Sequence, residues 1–195
     1  MHKIYYIMGK SSSGKDSVFK EIRKRMPELR SITLYTTRPI REDEINGREY
    51  HFVGETDLQK LEKKGCVIEQ RAYQTKCGIW KYATVQDGQI DLERFDYLVI
   101  GTLESYQAMC NYFGKGKLVS IYIEVEDGLR LERALQRERK QKHPRYAEMC
   151  RRFLADAEDF SVEKLAKANV IKRFQNMEFG DCVEEICSYI DGLRI

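Results

Sequence analysis

Residues Ile4 to Met8 form an apolar run closed by Gly9, and from Val18 onward Val18, Phe19, Ile22 and Met26 recur at helical spacing. The chain therefore opens as strand, glycine turn, helix. Ser31 to Tyr35 predicts a second strand, whereas Thr36 to Gly47 is polar, contains Pro39 and Gly47, and predicts an ordered loop. Tyr50 to Val53 alternates again. Leu58 and Leu61 predict a short helix ending at Gly65, and a strand over Cys66 to Glu69 leads into β or irregular structure through Val85. Tyr97 to Ile100, Gly101 and the helical spacing of Leu103, Tyr106 and Cys110 repeat the opening pattern. A strand over Leu118 to Val125 follows, then two charged helices over Gly128 to Lys142 and Tyr146 to Phe160, interrupted near Pro144. The chain closes with a strand near Val170 to Ile171 and a helix carrying Val183, Ile186 and Ile190. Strands alternating with helices predict a three-layer α/β/α fold around a mostly parallel sheet.

A length of 195 residues suits one compact domain carrying an insertion, and 42% hydrophobic residues supply a core. Charges nearly cancel, 34 Lys plus Arg against 31 Asp plus Glu, leaving +3. So weak a net field gives no bulk attraction to nucleic acid or a membrane surface, and any electrostatic function must be local. Met1 to Met8 lacks the longer apolar core and cleavage site of a secretory signal, and no apolar stretch approaches the roughly 20 residues that cross a bilayer. A soluble cytoplasmic protein is expected. Cys66, Cys77, Cys110, Cys150, Cys182 and Cys187 include no C-x-x-C pair and do not cluster with His2, His51 or His143. Reduced thiols packed as small hydrophobes, and no structural zinc, are expected.

The segment Gly9-Lys10-Ser11-Ser12-Ser13-Gly14-Lys15-Asp16-Ser17 lies between the first strand and the first helix and has the spacing of a phosphate loop. Gly9 and Gly14 let successive amides aim inward, the helix start adds its positive dipole, and Lys15 can reach terminal phosphates. Ser11, Ser12 and Ser13 complete the cradle. Asp16 stands where the usual pattern has the hydroxyl that contacts magnesium, so Ser17 is the available hydroxyl and is assigned to the metal. Asp16 reads either as a residue near that metal or as an ordinary acidic residue of a helix's first turn.

Thr36-Thr37-Arg38-Pro39-Ile40-Arg41 is followed by Glu44, Gly47, Tyr50, Phe52 and Val53. Two arginines so spaced can clamp one phosphate from two directions, although the arginines alone would favour a solvated charged loop. With its accompanying residues the stretch resembles the monophosphate site of the guanylate kinase family, the P-loop nucleoside monophosphate kinases that carry T-T-R-x-x-R followed by E-x-x-G-x-x-Y-x-F-V. The resemblance implies a P-loop NTPase fold, a monophosphate-binding insertion over residues 36–90, and Arg38, Arg41 and Tyr50 on the acceptor's phosphate. Val67-Ile68-Glu69 resembles the strand whose glutamate reads the guanine edge. Tyr82-Ala83-Thr84 resembles the family's Tyr-Gly-Ser/Thr phosphate contact, with four extra residues intervening and Tyr73 as a rival for Tyr82. As an ionised acceptor, Glu69 could pair with two N–H groups of guanine, which adenine cannot match.

Two departures bear on the acceptor. Leu34 replaces a serine that would bond the base, and Ile100-Gly101-Thr102-Leu103-Glu104 replaces an Asp-x-Asp segment, leaving Thr102 or Glu104 to substitute. Residues 130–152 carry nine Lys or Arg against three Asp or Glu. Here Arg133 and Arg137 resemble the R-x-x-x-R of the family's lid helix, and Glu148 to Arg152 its E-x-x-x-R, which implies Arg133, Arg137 and Arg152 as closing arginines.

Phosphoryl transfer spreads negative charge over a group flanked by two anions, so positioning and charge compensation dominate, and an anionic phosphate acceptor needs no general base. The expected activity is magnesium- and ATP-dependent conversion of a nucleoside monophosphate, GMP first. A sugar-phosphate kinase, whose phosphate loop also resembles Gly-Lys-Asp-Ser, and a catalytically silent protein-binding module of the same family are the other readings.

Overall fold

In the computed structural model, residues 2–75 and 78–194 are described. Strand β1 (Ile4–Met8) is the centre of a five-stranded sheet with β2 (Arg30–Ser31), β7 (Tyr97–Ile100), β8 (Leu118–Glu124) and β9 (Arg173–Gln175), in the order β2-β7-β1-β8-β9. Every pairing in it is parallel. Both faces of β1 are buried, and its alternation divides the core in two. Ile4, Tyr6 and Met8 pack with Leu103, Tyr106 and Met109 of helix α3 (Leu103–Phe113). Tyr5 and Ile7 pack on the other side with Val18 and Ile22 of α1 (Lys15–Arg25) and with Val183, Ile186 and Ile190 of α7 (Phe179–Arg194). This is the expected three-layer arrangement.

A second, four-stranded sheet lies within residues 35–85 and is mostly antiparallel. It joins β3 (Tyr35–Thr36), β4 (His51–Phe52), β5 (Val67–Thr75) and β6 (Gly78–Val85) in the order β4-β3-β6-β5. Helix α2 (Glu55–Lys63) packs Leu58 against Ala83 and Val85 of this sheet. Helices α4 (Asp127–Arg139) and α5 (Tyr146–Asp159) follow β8 and pack on each other.

The structure departs from the expected elements in three places. The strand expected over Ser31 to Tyr35 is two strands in different sheets, because the Thr33 N–H donates to the Gln89 side chain at 2.8 Å and the Thr33 carbonyl accepts from it. The last strand is Arg173–Gln175 rather than Val170 to Ile171. Val170 instead closes a short helix, α6 (Val162–Lys167), its amide donating to the Leu165 carbonyl after Asn169 at φ 55°. Helix α6 escapes periodicity because it is six residues long and is begun by a Ser161 cap. Of the cysteines, Cys110 and Cys182 are buried, Cys66 and Cys187 are partly buried, and Cys150 is exposed, not packed as expected; Cys77 lies outside the described residues.

Candidate active site

The glycine loop joins β1 to α1. Gly14 takes φ +83°, and a Cβ there would strike the Asn176 side chain; a Cβ on Gly9 would stand 2.6 Å from the Ile123 carbonyl oxygen. Both positions therefore demand glycine, one for its backbone angle and both for close approach. At the helix start no protein acceptor faces the amides of Gly14, Lys15 and Asp16 among the described residues, and the buried Ser12 and Ser13 hydroxyls also lack partners. The loop is thus a concavity of unspent donors at a positive helix end.

Three side chains outside the motif hold it in shape. Asn176 donates to the Ser13 carbonyl at 2.7 Å, and the Asp156 carboxylate accepts the Ser11 N–H at 2.8 Å. Arg130, 1% exposed, donates to the Ser11 carbonyl at 3.0 Å, pairs with Asp127 at 2.9 Å and Asp156 at 3.3 Å, and lies over the Phe153 ring. Arg130 is therefore an anchor between α4, α5 and the loop, although in the sequence it is no more than the first residue of the basic 130–152 segment. Asp127 is held below the usual carboxylate range, since its bonds from Arg130 and Lys10 outweigh the burial that opposes ionisation.

At the loop mouth the Lys15 ammonium stands 3.6 Å from the Asp16 carboxylate, which is 78% exposed. Ser17 is exposed, and its amide donates to the Gly14 carbonyl at 3.0 Å. Among the described residues no group of three His, Cys, Asp or Glu is arranged to hold a metal. Magnesium takes one or two protein oxygens and completes its shell with water and phosphate, so the Ser17 hydroxyl and the Asp16 carboxylate are each of the donor chemistry that such an ion uses.

In the second sheet the register sets two rows across one face. Arg71 pairs with Tyr82, which pairs with Thr36, and Glu69 pairs with Thr84. Arg38, 4% exposed, forms a bidentate pair with Glu44 at 2.7 and 2.9 Å, donates to the Pro39 carbonyl, and lies beside the Tyr50 and Phe52 rings. Glu44 raises the Arg38 pKa, with a smaller contribution from Tyr82, and Arg38 in turn lowers that of Glu44. Tyr50 meets Tyr82 edge to face at 5.6 Å, and its phenol is raised chiefly by burial. Tyr73 packs on the outer side of Tyr82 at 5.7 Å, so Tyr82 is the tyrosine beside Tyr50 and Arg38. Arg41 is exposed, with its N–H bonded to Glu44.

At the other end of that face Glu69, 8% exposed, accepts from the Thr84 hydroxyl at 2.6 Å and from Arg71 Nε at 3.0 Å. Arg71 also reaches Thr102, which caps α3 through Ser105. Burial works against the Arg71 charge, but Glu69 outweighs it and the Arg71 pKa is raised. Thr102 is thus brought to Glu69 through Arg71, whereas Glu104 is exposed on the first turn of α3.

The lid arginines separate. Arg133 donates to the Asn176 carbonyl at 3.1 Å and so belongs to the frame of the glycine loop. Arg137 and Arg152 line a cavity of about 550 Å³ between Ser11, Ser12 and helices α4 and α5, with Arg145 beside them and Arg152 paired to Glu148 at 2.8 Å.

Residues 1–91 match the family model described as guanylate kinase. Over its whole length the chain superposes on the crystal structure of guanylate kinase from Anaplasma phagocytophilum, covering 87% of that chain with a TM-score of 0.63 at 16% identity. The fold is that of a guanylate kinase. Guanylate kinases from Frankia casuarinae and Sulfurimonas denitrificans are 37% and 42% identical over 67 and 57 residues. Those stretches cover 34% and 29% of this chain, and 36% and 28% of the two relatives. The chain thus spans about a third of the length of the curated relatives it matches. The resemblance to guanylate kinases read from Gly9 to Glu69 stands on these matches.

Arg71, Arg130, Asp156 and Asn176 shape this site and were not among the residues picked out from the sequence. Arg71 alone had a signal: on a strand it shares a face with Glu69, two residues away.

Proposed function

We propose that the protein transfers the γ-phosphoryl group of ATP to GMP. The observation that carries this reading is the face of the second sheet, with Arg38, Tyr50 and Tyr82 gathered at one end and the Glu69 carboxylate with Thr84 at the other. One end suits a phosphate and the other a base edge that donates hydrogen bonds. A sugar phosphate would leave the second end unused. Residue by residue, Gly9, Ser11, Ser12, Ser13, Gly14, Lys15, Asp16 and Ser17 hold the triphosphate of ATP, whose oxygens would satisfy the open amides and the buried Ser12 and Ser13 hydroxyls. Lys15, Arg137 and Arg152 compensate charge on the transferring group, while Arg133, expected beside them, braces the glycine loop through the Asn176 carbonyl. Arg38, Arg41, Tyr50 and Tyr82 orient the acceptor's phosphate and Glu69 takes its base; Thr84, expected with Tyr82 at the phosphate, instead donates to the Glu69 carboxylate, and Thr102 supports that end.

Glu44 keeps the Arg38 guanidinium in one plane, which removes side-chain entropy before the acceptor arrives. Exposed Arg41 can then close from the other side. Ser17, with Asp16 as the neighbouring oxygen, would hold magnesium, which when bound offsets phosphate charge. Water excluded by the lid cannot intercept the phosphoryl group. Among the described residues no helix is long and apolar enough to cross a membrane, and we place the reaction in the cytoplasm. Coupled measurement of ADP release with GMP, AMP, UMP and ribose phosphates tests the reading. GMP-dependent turnover is expected; turnover only with ribose phosphates, or with no acceptor, overturns it. Magnesium titration of Ser17→Ala and Asp16→Ala tests the metal assignment, and a shifted dependence in Asp16→Ala alone rejects Ser17.

A further inference from the structure

Glu69 does not stand alone at the base end, because Arg71 is buried against it. A carboxylate offers about four acceptor positions. Thr84 at 2.6 Å and Arg71 Nε at 3.0 Å occupy one on each oxygen, and the remaining bond, from Arg71 Nη2, is long at 3.4 Å. Once that long bond yields, each oxygen keeps one open position, and two parallel N–H donors can be taken. On the guanidinium, Nη1 and Nη2 are the loosely engaged groups, since the bond to Thr102 is also 3.4 Å. Arg71 thus offers donors beside an acceptor pair. Leu34, which precedes strand β3 of the same sheet, contributes no side-chain donor.

We propose that Arg71 is a specificity-determining residue that donates to the 6-oxo group of the acceptor's purine while Glu69 accepts from its N1–H and 2-amino group. The inference rests on the reading of this site as an acceptor pocket for GMP. A guanine edge presents one acceptor and two donors in sequence, the complement of a guanidinium beside a doubly open carboxylate. Adenine presents an amino group where Arg71 needs an acceptor, and with neither an N1–H nor a 2-amino group it leaves both carboxylate oxygens unpaired. Hypoxanthine keeps the 6-oxo group and N1–H and lacks only the 2-amino group.

This difference separates a direct contact from a supporting one. If Arg71 touches the 6-oxo group, its loss weakens GMP and IMP alike. If it only steadies Glu69, its loss erodes the contact to the 2-amino group and falls more heavily on GMP. The experiment measures kcat/KM for GMP and IMP in the wild type, Arg71→Ala and Arg71→Lys, after thermal unfolding shows each variant folded. Arg71→Lys keeps a cation beside Glu69, and so remains informative where the alanine variant does not fold. Both acceptors should fall by about tenfold or more in the alanine variant and less in the lysine variant, with the GMP to IMP ratio held within about threefold. A collapsed ratio, or unchanged values, overturns the direct contact while wild-type turnover of GMP keeps the wider reading intact. Absence of wild-type turnover with either nucleotide overturns both.

Discussion

Lys15 and Arg38 carry opposite halves of the proposed reaction, and single substitutions separate them. Lys15→Ala should lower kcat by about 100-fold or more, because it removes a cation placed to meet charge that develops on the transferring group. Arg38→Ala should instead raise the KM for GMP by about tenfold to 100-fold, the loss of a charge-assisted bond to a bound phosphate. Steady-state kinetics with each substrate varied in turn distinguish the two; a kcat defect in Arg38→Ala with unchanged KM would reverse the assignment. These residues were legible because a motif fixes their spacing within a few positions. Arg71 was not. A guanidinium two residues from a carboxylate reads as a solvated pair on any strand, and only its burial under α3 gives it a role.

At the scale of elements, α4 and α5 are tied to the glycine loop through one buried side chain. Arg130→Met removes the bonds to Asp127, Asp156 and Ser11 while filling similar space, and leaves the partly buried Asp156 uncompensated. Breaking a buried pair on one side costs about 3–5 kcal/mol, to be measured by urea unfolding. Within α5 the first turn is held differently. Bonds from Arg151 and then Arg152 depress the Glu148 pKa to about 2. A carboxyl depressed in the folded state contributes fully above its unfolded pKa near 4.5 and loses that contribution as pH falls toward 2. Glu148→Gln should therefore cost no more than about 1 kcal/mol at pH 7, the pair being exposed. The difference from wild type should shrink below about pH 4.5 in the same unfolding measurement. The sequence showed both as charged helices broken near Pro144, yet their pattern could not tell the anchored Arg130 from Arg137 seven residues on. Two turns of helix put them on nearly the same stripe.

For the molecule as a whole, the open amides of the glycine loop and the side chains that brace it should couple ATP binding to stability. ATP at about 100 times its Kd should raise the unfolding free energy by about 2.7 kcal/mol, and an increase in Tm reads it directly. Lys15→Ala should lose most of that increase, and an equal shift in both proteins would mean that the nucleotide binds elsewhere. The amino-acid order alone settled the alternation of strands and helices, the glycine loop and the run from Thr36 to Val53, because periodicity and turn chemistry act over a few neighbouring residues. Contacts across long separations belonged to the folded chain. Ser11 meets Arg130 and Asp156, Ser13 meets Asn176, and Arg71 meets Thr102, partners 31 to 163 positions apart. Short strands such as Arg30–Ser31 and Tyr35–Thr36 followed the same rule. They exist because a neighbouring strand or side chain takes their backbone bonds, and no local pattern records which neighbour that will be.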